Sequence, residues 1–566
     1  MKPRGSDLSL HFLTDMQRHS LKQPFTKWIS QVLGIGFSLF AQATHAGVEF
    51  AFDDFYSPQT LQKIHLSIES ADLQKMKEAL PERIYVPAVM KWRSLEFQNV
   101  GIRYKGDSSS QPHQTHKRGY LIKVSHYEKD QRFLGMERIA LDNGIQFGSL
   151  FSEPIVTEIL RDLNIPASHC NYAQLSLNGE EHGVYVNVER IDESFLQRCF
   201  GSASGALYKV HRPGPGANLA YAGPRLDDYK SCFSAKTAEA EESYADLVGL
   251  IQALGGGKNV PYEQVLGSQM VADDFLRTMA VMLMAGCFDQ LTGWNPHNYY
   301  FYRHPVTQQW SYLPWDLDVG FADKAFGKVP VIDGWHAAWP IPGGPPKPIL
   351  ENIVNHPKLL VSYRKFARSI LETYFEPEKI KARLRKLYAV VEAPLRTDPF
   401  PARRATNPED TGYESILHSI EQFMEKRYAL ADAQLKDPGE RPKTSPQGHR
   451  PHMEPQPGTL NHAPSELRIL SRDATSIELA WKVQAKDAMG HIVQRAMKEE
   501  PLLFHNHIPC PGPSQSYAVD DRIDPEATYL YRVYAVFSSP KGPVGSQVSE
   551  AVIADPLNQP EDFNPE

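Results

Sequence analysis

Residues 287–321 read CFDQLTGWNPHNYYFYRHPVTQQWSYLPWDLDVGF. Asp289 closes a stretch, MVADDFLRTMAVMLMAGCFD (270–289), whose apolar residues recur at helical spacing. A loop carrying Asn295 and Asn298 follows. Two aromatic strands, NYYFYR and WSYLPW, are joined by a turn, and Asp316 and Asp318 end the segment. Three carboxylates and an amide arranged round one hairpin suit phosphoryl transfer. One carboxylate accepts or orients the hydroxyl proton of an acceptor, while another carboxylate and an amide oxygen hold Mg²⁺ against nucleotide phosphates. On that reading Asp289 is the catalytic base, Asn298 and Asp316 are metal ligands, and Asp318 is a further metal candidate. Asn295 lies closer to Asp289 in sequence and competes with Asn298 for the ligand role.

Upstream, FQNVGIRYKG and YLIKVSHY have the Val, Ile and Tyr content of strands. SLFSEPIVTEILRDLNIP reads as a helix stopped by Asn-Ile-Pro. YAQLSLNGEEHGVYVNVE reads as a hairpin, with Asn178-Gly179 supplying the positive φ angles of a tight turn. Beyond residue 240 helical periods dominate, up to about 435. Strands first and helices second predict an α+β domain. Residues 436–465 are rich in proline, glycine and polar side chains and read as a linker. Strand signals resume after it, with about 90 residues that suggest a β-sandwich.

With 566 residues the chain exceeds one core, and its 26 Phe, 25 Tyr and 8 Trp suffice for large ones. A net charge of −7 argues against nucleic acid as main partner. Arg18, Lys22 and Lys27 precede the apolar run Trp28 to Ala41, and Ala41, Ala43 and Ala46 follow at cleavage-site spacing. That is the pattern of a secretory signal peptide over residues 1–46. No later stretch is long and apolar enough to predict a membrane span. The five cysteines form no Cys-x-x-Cys pair, so a zinc or redox motif is not expected; export would permit disulfides, and buried free thiols are the alternative. His113 and His116 lie in a polar loop without a nearby third ligand, and solvent is the better expectation for both.

The motifs together resemble the CotH (spore coat protein H) family of kinases. That family carries Asp…Asn-Tyr-Tyr-x-Tyr…Trp-x-x-x-Pro-Trp-Asp-x-Asp, matched here by Asp289, Asn298, Tyr299, Tyr300, Tyr302, Trp310, Pro314, Trp315, Asp316 and Asp318. Its Arg-x-Lys-Gly-(Asn/Asp)-Ser-Ser loop is matched by Arg103, Lys105, Gly106, Asp107, Ser108 and Ser109. Its Leu-Asn-Gly-Glu…Gly-x-Tyr-x-x-x-Glu is matched by Leu177 to Glu180, Gly183, Tyr185 and Glu189. One departure is the nine-residue step from Asp289 to Asn298, longer than in ordinary kinases. The resemblance implies a two-lobed, atypical protein-kinase-like domain over 47–435, using ATP with Mg or Mn. It also implies that the turn of Lys105, Gly106 and Ser108 covers the phosphates. A strand lysine, Lys123 first and Lys105 second, would reach them, paired with Glu153 or Glu158 on the next helix.

Residues 466–555 resemble a fibronectin type III module: Trp481 takes the core position, and Ile523, Pro525 and Tyr529 match the family's tyrosine corner. A tail, 556–566, follows. The expected function is an exported kinase acting on Ser or Thr of exported or surface proteins, with a surface or matrix partner for the C-terminal module. Two alternatives stay open: a non-catalytic surface binding protein on the same fold, and an enzyme that transfers AMP.

Overall fold

The computed structural model describes residues 50–106, 108–112, 114, 117–145, 148–255, 261–293, 296–325, 329–331, 336–340, 347–437, 462–485, 487–498, 504–521, 523–537 and 544–556. The expected signal peptide, Asp107, His113, His116, Asn295 and most of the linker lie outside them. The described chain is mixed helix and sheet.

Seven strands close into a barrel: β1 (Gln62–Ser67), β2 (Val86–Trp92), β3 (Leu95–Lys105), β4 (Gly119–Lys123), β5 (Arg138–Asp142), β6 (Cys170–Leu177) and β7 (Glu180–Val188). Their order is β1-β2-β3-β4-β5-β7-β6, and β6 returns to pair with β1 in parallel. Alternation sets the inward face. Ile64, Leu66, Met90, Trp92, Val100, Ile102, Tyr120, Ile122, Ile139, Leu141 and Leu175 share one core. The β6–β7 turn uses Asn178 at φ 53° and Gly179 at φ 85°, as the Asn-Gly pair predicts.

The helix Ser152–Asp162 crosses from β5 to β6 and is buried along most of its length. It belongs to a second core with the helices that follow. Within that core a sheet of order β11-β10-β8-β9 is built from β8 (Ala206–Val210), β9 (Phe233–Ala235), β10 (Tyr299–Arg303) and β11 (Trp310–Pro314). The helix Ala272–Ala285 opens on Asp273 and Asp274 and stops at Gly286, whose φ of 67° ends it in the left-handed conformation. Helices Pro348–Asn355, Pro357–Tyr374, Pro377–Leu395 and Tyr413–Lys436 complete this part, the first three with proline in the first turn.

A two-residue hairpin, β12 (Lys324–Ala325) with β13 (Val329–Pro330), follows the Asp316 segment. After residue 461 two sheets are formed. β14 (Ser465–Arg472), β15 (Ile477–Lys482) and β18 (Tyr517–Asp520) make one. β17 (His505–Pro511), β16 (Gly490–Met497), β19 (Tyr529–Phe537) and β20 (Val544–Gly545) make the other, with β21 (Val552–Ala554) also on β19. Ile477, Leu479 and Trp481 of the first share a core with Val493, Cys510, Tyr531 and Val533 of the second. The Tyr529 hydroxyl accepts the Asp524 N–H at 2.7 Å. The five cysteines are free thiols. Among the described residues no helix is long and apolar enough to cross a membrane.

Candidate active site

Lys105, the last residue of β3, is opposite Gly119, the first of β4, and Asp142 ends β5, so these three termini share one end of the barrel. The Lys105 ammonium donates to the Asp142 carboxylate and stands 3.8 Å from Asp316 Oδ1. Burial disfavours the Lys105 charge, but Asp142, Asp316 and Glu153 more than offset it, and its pKa lies above that of an ordinary lysine. Burial likewise pushes Asp142 up, and Lys105 reverses that to leave it below the usual carboxylate range.

Glu153, in the first turn of the helix Ser152–Asp162, is buried and accepts the Leu317 N–H at 3.3 Å. Burial, then the charges of Asp316 and Asp142, push it up to about 8. Asp318 is raised well above its ordinary value by burial, then by Asp316, Asp142, Glu153 and Asp289. Gly148 N–H donates to its Oδ2 at 3.3 Å and Ser149 N–H to its carbonyl at 3.2 Å. A Cβ on Gly148 would overlap that carbonyl, which explains the glycine.

Asp289 lies four residues past the end of the helix Ala272–Ala285. The Asn298 side-chain amide donates to its Oδ2 and to its carbonyl, both at 3.2 Å, and His297 Nε2 is 3.8 Å from Oδ2. Asn298 sits at φ 59° and Asp316 at φ 62°, left-handed conformations that Asn and Asp tolerate better than most residues. The Asn298 backbone is held between Val210 and Trp315, donating to the first at 3.1 Å and accepting from the second at 2.9 Å. Gln290, buried, donates to the Trp315 and Asp316 carbonyls at 2.6 and 3.3 Å and fixes the loop to the end of β11.

The structure thus brings Lys105, Asn298, Asp289, Asp316 and Asp318 into one cleft. It does not bring Lys123 or Glu158 there, which corrects the expectation for both. Lys123 is the far end of β4, opposite Gly101 and Arg138, four residues and about 13 Å from Gly119. Glu158 is five residues past Glu153, about 140° round the helix from it, and its Oε2 pairs with Arg383 at 2.7 Å. Gly106, at φ 91°, opens the short turn Ser108–Ser110, where the Ser109 and Ser110 hydroxyls donate to the Lys105 carbonyl at 2.9 and 3.2 Å. The Ser109 and Ser110 hydroxyls therefore build the turn. Glu189 is structural: it accepts Arg198 at 2.9 and 2.6 Å and the His169 N–H at 3.0 Å. Sequence reading missed Asp142 and Gln290. The only signal for Asp142 was a carboxylate at a strand end before Asn-Gly.

Among the described residues no three His, Cys, Asp or Glu side chains already converge on one cation position. The donor set nonetheless suits a divalent ion. Asp142, Glu153, Asp289 and Asp316 all press on Asp318, and Lys105 pairs with Asp142 and Asp316. Such a carboxylate excess is what a hard, oxygen-seeking cation relieves.

A curated relative, the inner spore coat protein H of Bacillus subtilis (strain 168), is 22% identical over 346 residues, 59% of this chain and 88% of the relative. Among the solved structures that match are three that cover a short part of the chain. A myokine structure is 18% identical, covers 17% of this chain and 98% of its own, and has a TM-score of 0.15. The fn3 domain of human contactin 1 is 15% identical, with 18% and 85% covered and a TM-score of 0.16. An FN3 domain of human collagen XX is 17% identical, with 17% and 93% covered and a TM-score of 0.14. The family model described as CotH kinase protein matches residues 102–430, more than half of the sequence and all of the cleft just described, and the chain belongs to that family.

Proposed function

We propose that this protein is an exported kinase that moves the γ-phosphate of ATP, with Mg or Mn, to Ser or Thr hydroxyls of exported or surface proteins. The observation that carries the reading is the convergence of Lys105, Asp289, Asn298 and Asp316 on one cleft. Lys105, held by Asp142, would present its charge to the nucleotide phosphates. Asn298 spends its amide N–H on Asp289, which leaves its Oδ1 to join Asp316 as an oxygen ligand. A divalent ion held there would neutralise charge on the phosphates. Asp289 would accept the acceptor hydroxyl's hydrogen bond and keep its oxygen in line with the γ-phosphorus. In this reading the barrel and the helical part act as the two lobes of an atypical kinase, the chain enters export through its N-terminus, and residues 466–555 form a fibronectin type III-like module that meets a surface or matrix partner.

The test is incubation of the mature chain with γ-labelled ATP, Mg²⁺ or Mn²⁺ and generic acceptor proteins, followed by mass spectrometry. Phosphoserine or phosphothreonine is expected, and Asp289→Asn should lower the rate by roughly 10²–10⁴-fold with nucleotide binding kept. An AMP adduct would replace the kinase reading with nucleotide transfer. Wild-type rates in Asp289→Asn would remove that carboxylate from the chemistry.

A further inference from the structure

Next to the carboxylates the cleft holds positive charge that the chemistry above does not use. Trp315 is buried, and three cations surround its ring: Arg190 Cζ at 4.9 Å, Lys209 Nζ at 5.6 Å and Lys105 Nζ at 5.8 Å from the centroid. Lys209 Nζ is also 5.6 Å from the Tyr300 ring. Lys105 is balanced by Asp142 and Asp316. Arg190 and Lys209 have no ion-pair partner among the described residues. The Arg190 Nε and the Tyr300 hydroxyl are both buried, with no hydrogen-bond partner among the described residues. The nearby carboxylates are engaged: Asp192 accepts from Arg138 at 3.4 Å and from the Ser194 N–H at 3.2 Å, and Asp316 faces Lys105.

Half-buried cations gathered round one indole, beside vacant buried donors, are costly unless an anion joins them. The strain shows in Lys209, which burial, Arg190, Lys105 and Arg103 pull down to about 7 against the opposing pull of Asp316. Lys236, beyond β9, is lowered by burial and by Lys209, Arg190 and Arg138, with Tyr300 opposing. The donors stand on rigid elements. Lys209 of β8 and Tyr300 of β10 are direct cross-strand neighbours, and Arg190 lies two residues past β7.

We propose that Arg190, Lys209 and the Tyr300 hydroxyl form an anion subsite that takes a phosphate group. A guanidinium fork, an ammonium and a hydroxyl match the tetrahedral oxygens of a phosphate, and the indole beneath keeps water from competing. Two sources carry that chemistry into this cleft: the polyphosphate tail of a nucleotide, and a phosphorylated side chain of an acceptor. The first source rests on the kinase reading; the subsite itself does not.

The experiment is calorimetric titration of the full chain with tripolyphosphate, with a non-hydrolysable ATP analogue plus Mg²⁺, and with a phosphoserine peptide beside its unphosphorylated twin. The wild type should bind a phosphate-bearing probe. Lys209→Met and Arg190→Met should each weaken it roughly tenfold or more, and Lys209→Arg should restore much of the loss. Far-ultraviolet circular dichroism and melting curves confirm that the variants fold. Loss confined to tripolyphosphate and the ATP analogue assigns the subsite to the nucleotide tail. Loss confined to the phosphoserine peptide assigns it to the acceptor. Equal affinities in wild type and both methionine variants, or a wild type that binds none of the probes, overturn the proposal. None of these readouts needs phosphate transfer, so an inactive enzyme would defeat the kinase reading and leave this test standing.

Discussion

Gly183, the glycine of the Gly-x-Tyr motif, shows how one residue ties distant parts of the chain together. It sits at φ 95°, and a Cβ there would lie 2.5 Å from Asp398 Oδ1. The Asp398 carboxylate accepts the Val184 N–H at 2.8 Å and the wholly buried Lys117 ammonium at 3.2 Å. Gly183→Ala therefore strains the backbone and also displaces a buried carboxylate from its cation. Breaking such a pair costs about 3–5 kcal/mol. Gly179, at φ 85° with nothing within 4 Å of where a Cβ would stand, is the control: Gly179→Ala should cost only the backbone strain, about 1 kcal/mol. Urea titration of both variants measures the difference, and equal losses would contradict the account. The two lysines make a second comparison. Lys105→Met should abolish the Mg-ATP-dependent rise in melting temperature, whereas Lys123→Met should leave it intact.

At the scale of elements, periodicity revealed the β10–β11 hairpin, the β6–β7 turn and the helix Ser152–Asp162, because each is set by residues close in sequence. It could not reveal the parallel pairing of β1 with β6, which joins Ile64 to Leu175 and closes the barrel. The same limit explains the choice of Lys123. A lysine in a strand announces its face by alternation, but which end of the strand meets Asp142 depends on register between strands. Asp289, Asn298 and Asp316 were legible because one hairpin carries all three. The C-terminal sheets add a pH-dependent case. Asp520 of β18 accepts Arg495 of β16 at 2.9 Å, His507 of β17 at 2.9 Å and the Tyr531 hydroxyl of β19 at 2.5 Å. Burial would raise its carboxyl, but His507, Arg495 and Tyr531 more than reverse that and hold it well below the ordinary range. A depressed folded pKa stabilises above the unfolded value, about 4, and the contribution fades as pH falls through the folded pKa. Asp520→Asn should cost about 3–5 kcal/mol at pH 7 and progressively less below pH 4. Hydrogen exchange across Tyr529–Phe537 reads this directly, and a loss that does not change with pH would show that the charge is not the cause.

The whole molecule is built on cores that do not share residues. The barrel core and the helical core draw on residues up to Ala431, with Leu435 packed at the edge, while the later clusters begin at Leu467. Between them runs a sequence with almost nothing apolar to bury, PGERPKTSPQGHRPHMEPQPGTLN (438–461). Every residue assigned to the cleft lies before that stretch, and so does the whole span matched by the family model. The side chains that hold the cleft from below do too: Arg404, buried, pairs with Asp410 at 3.3 Å and donates to the Gly320 carbonyl, close behind Asp318. A chain ended at Asp437 should therefore keep its fold, its Mg-ATP-dependent rise in melting temperature and its transfer to a generic acceptor, because no group in the proposed mechanism is removed. If residues 466–555 meet a surface partner as proposed, the shorter chain should lose co-sedimentation with cell-envelope material. Calorimetry and transfer assays on the two chain lengths decide the matter. Aggregation or an inactive cleft in the shorter chain would mean that the C-terminal sheets complete the enzyme.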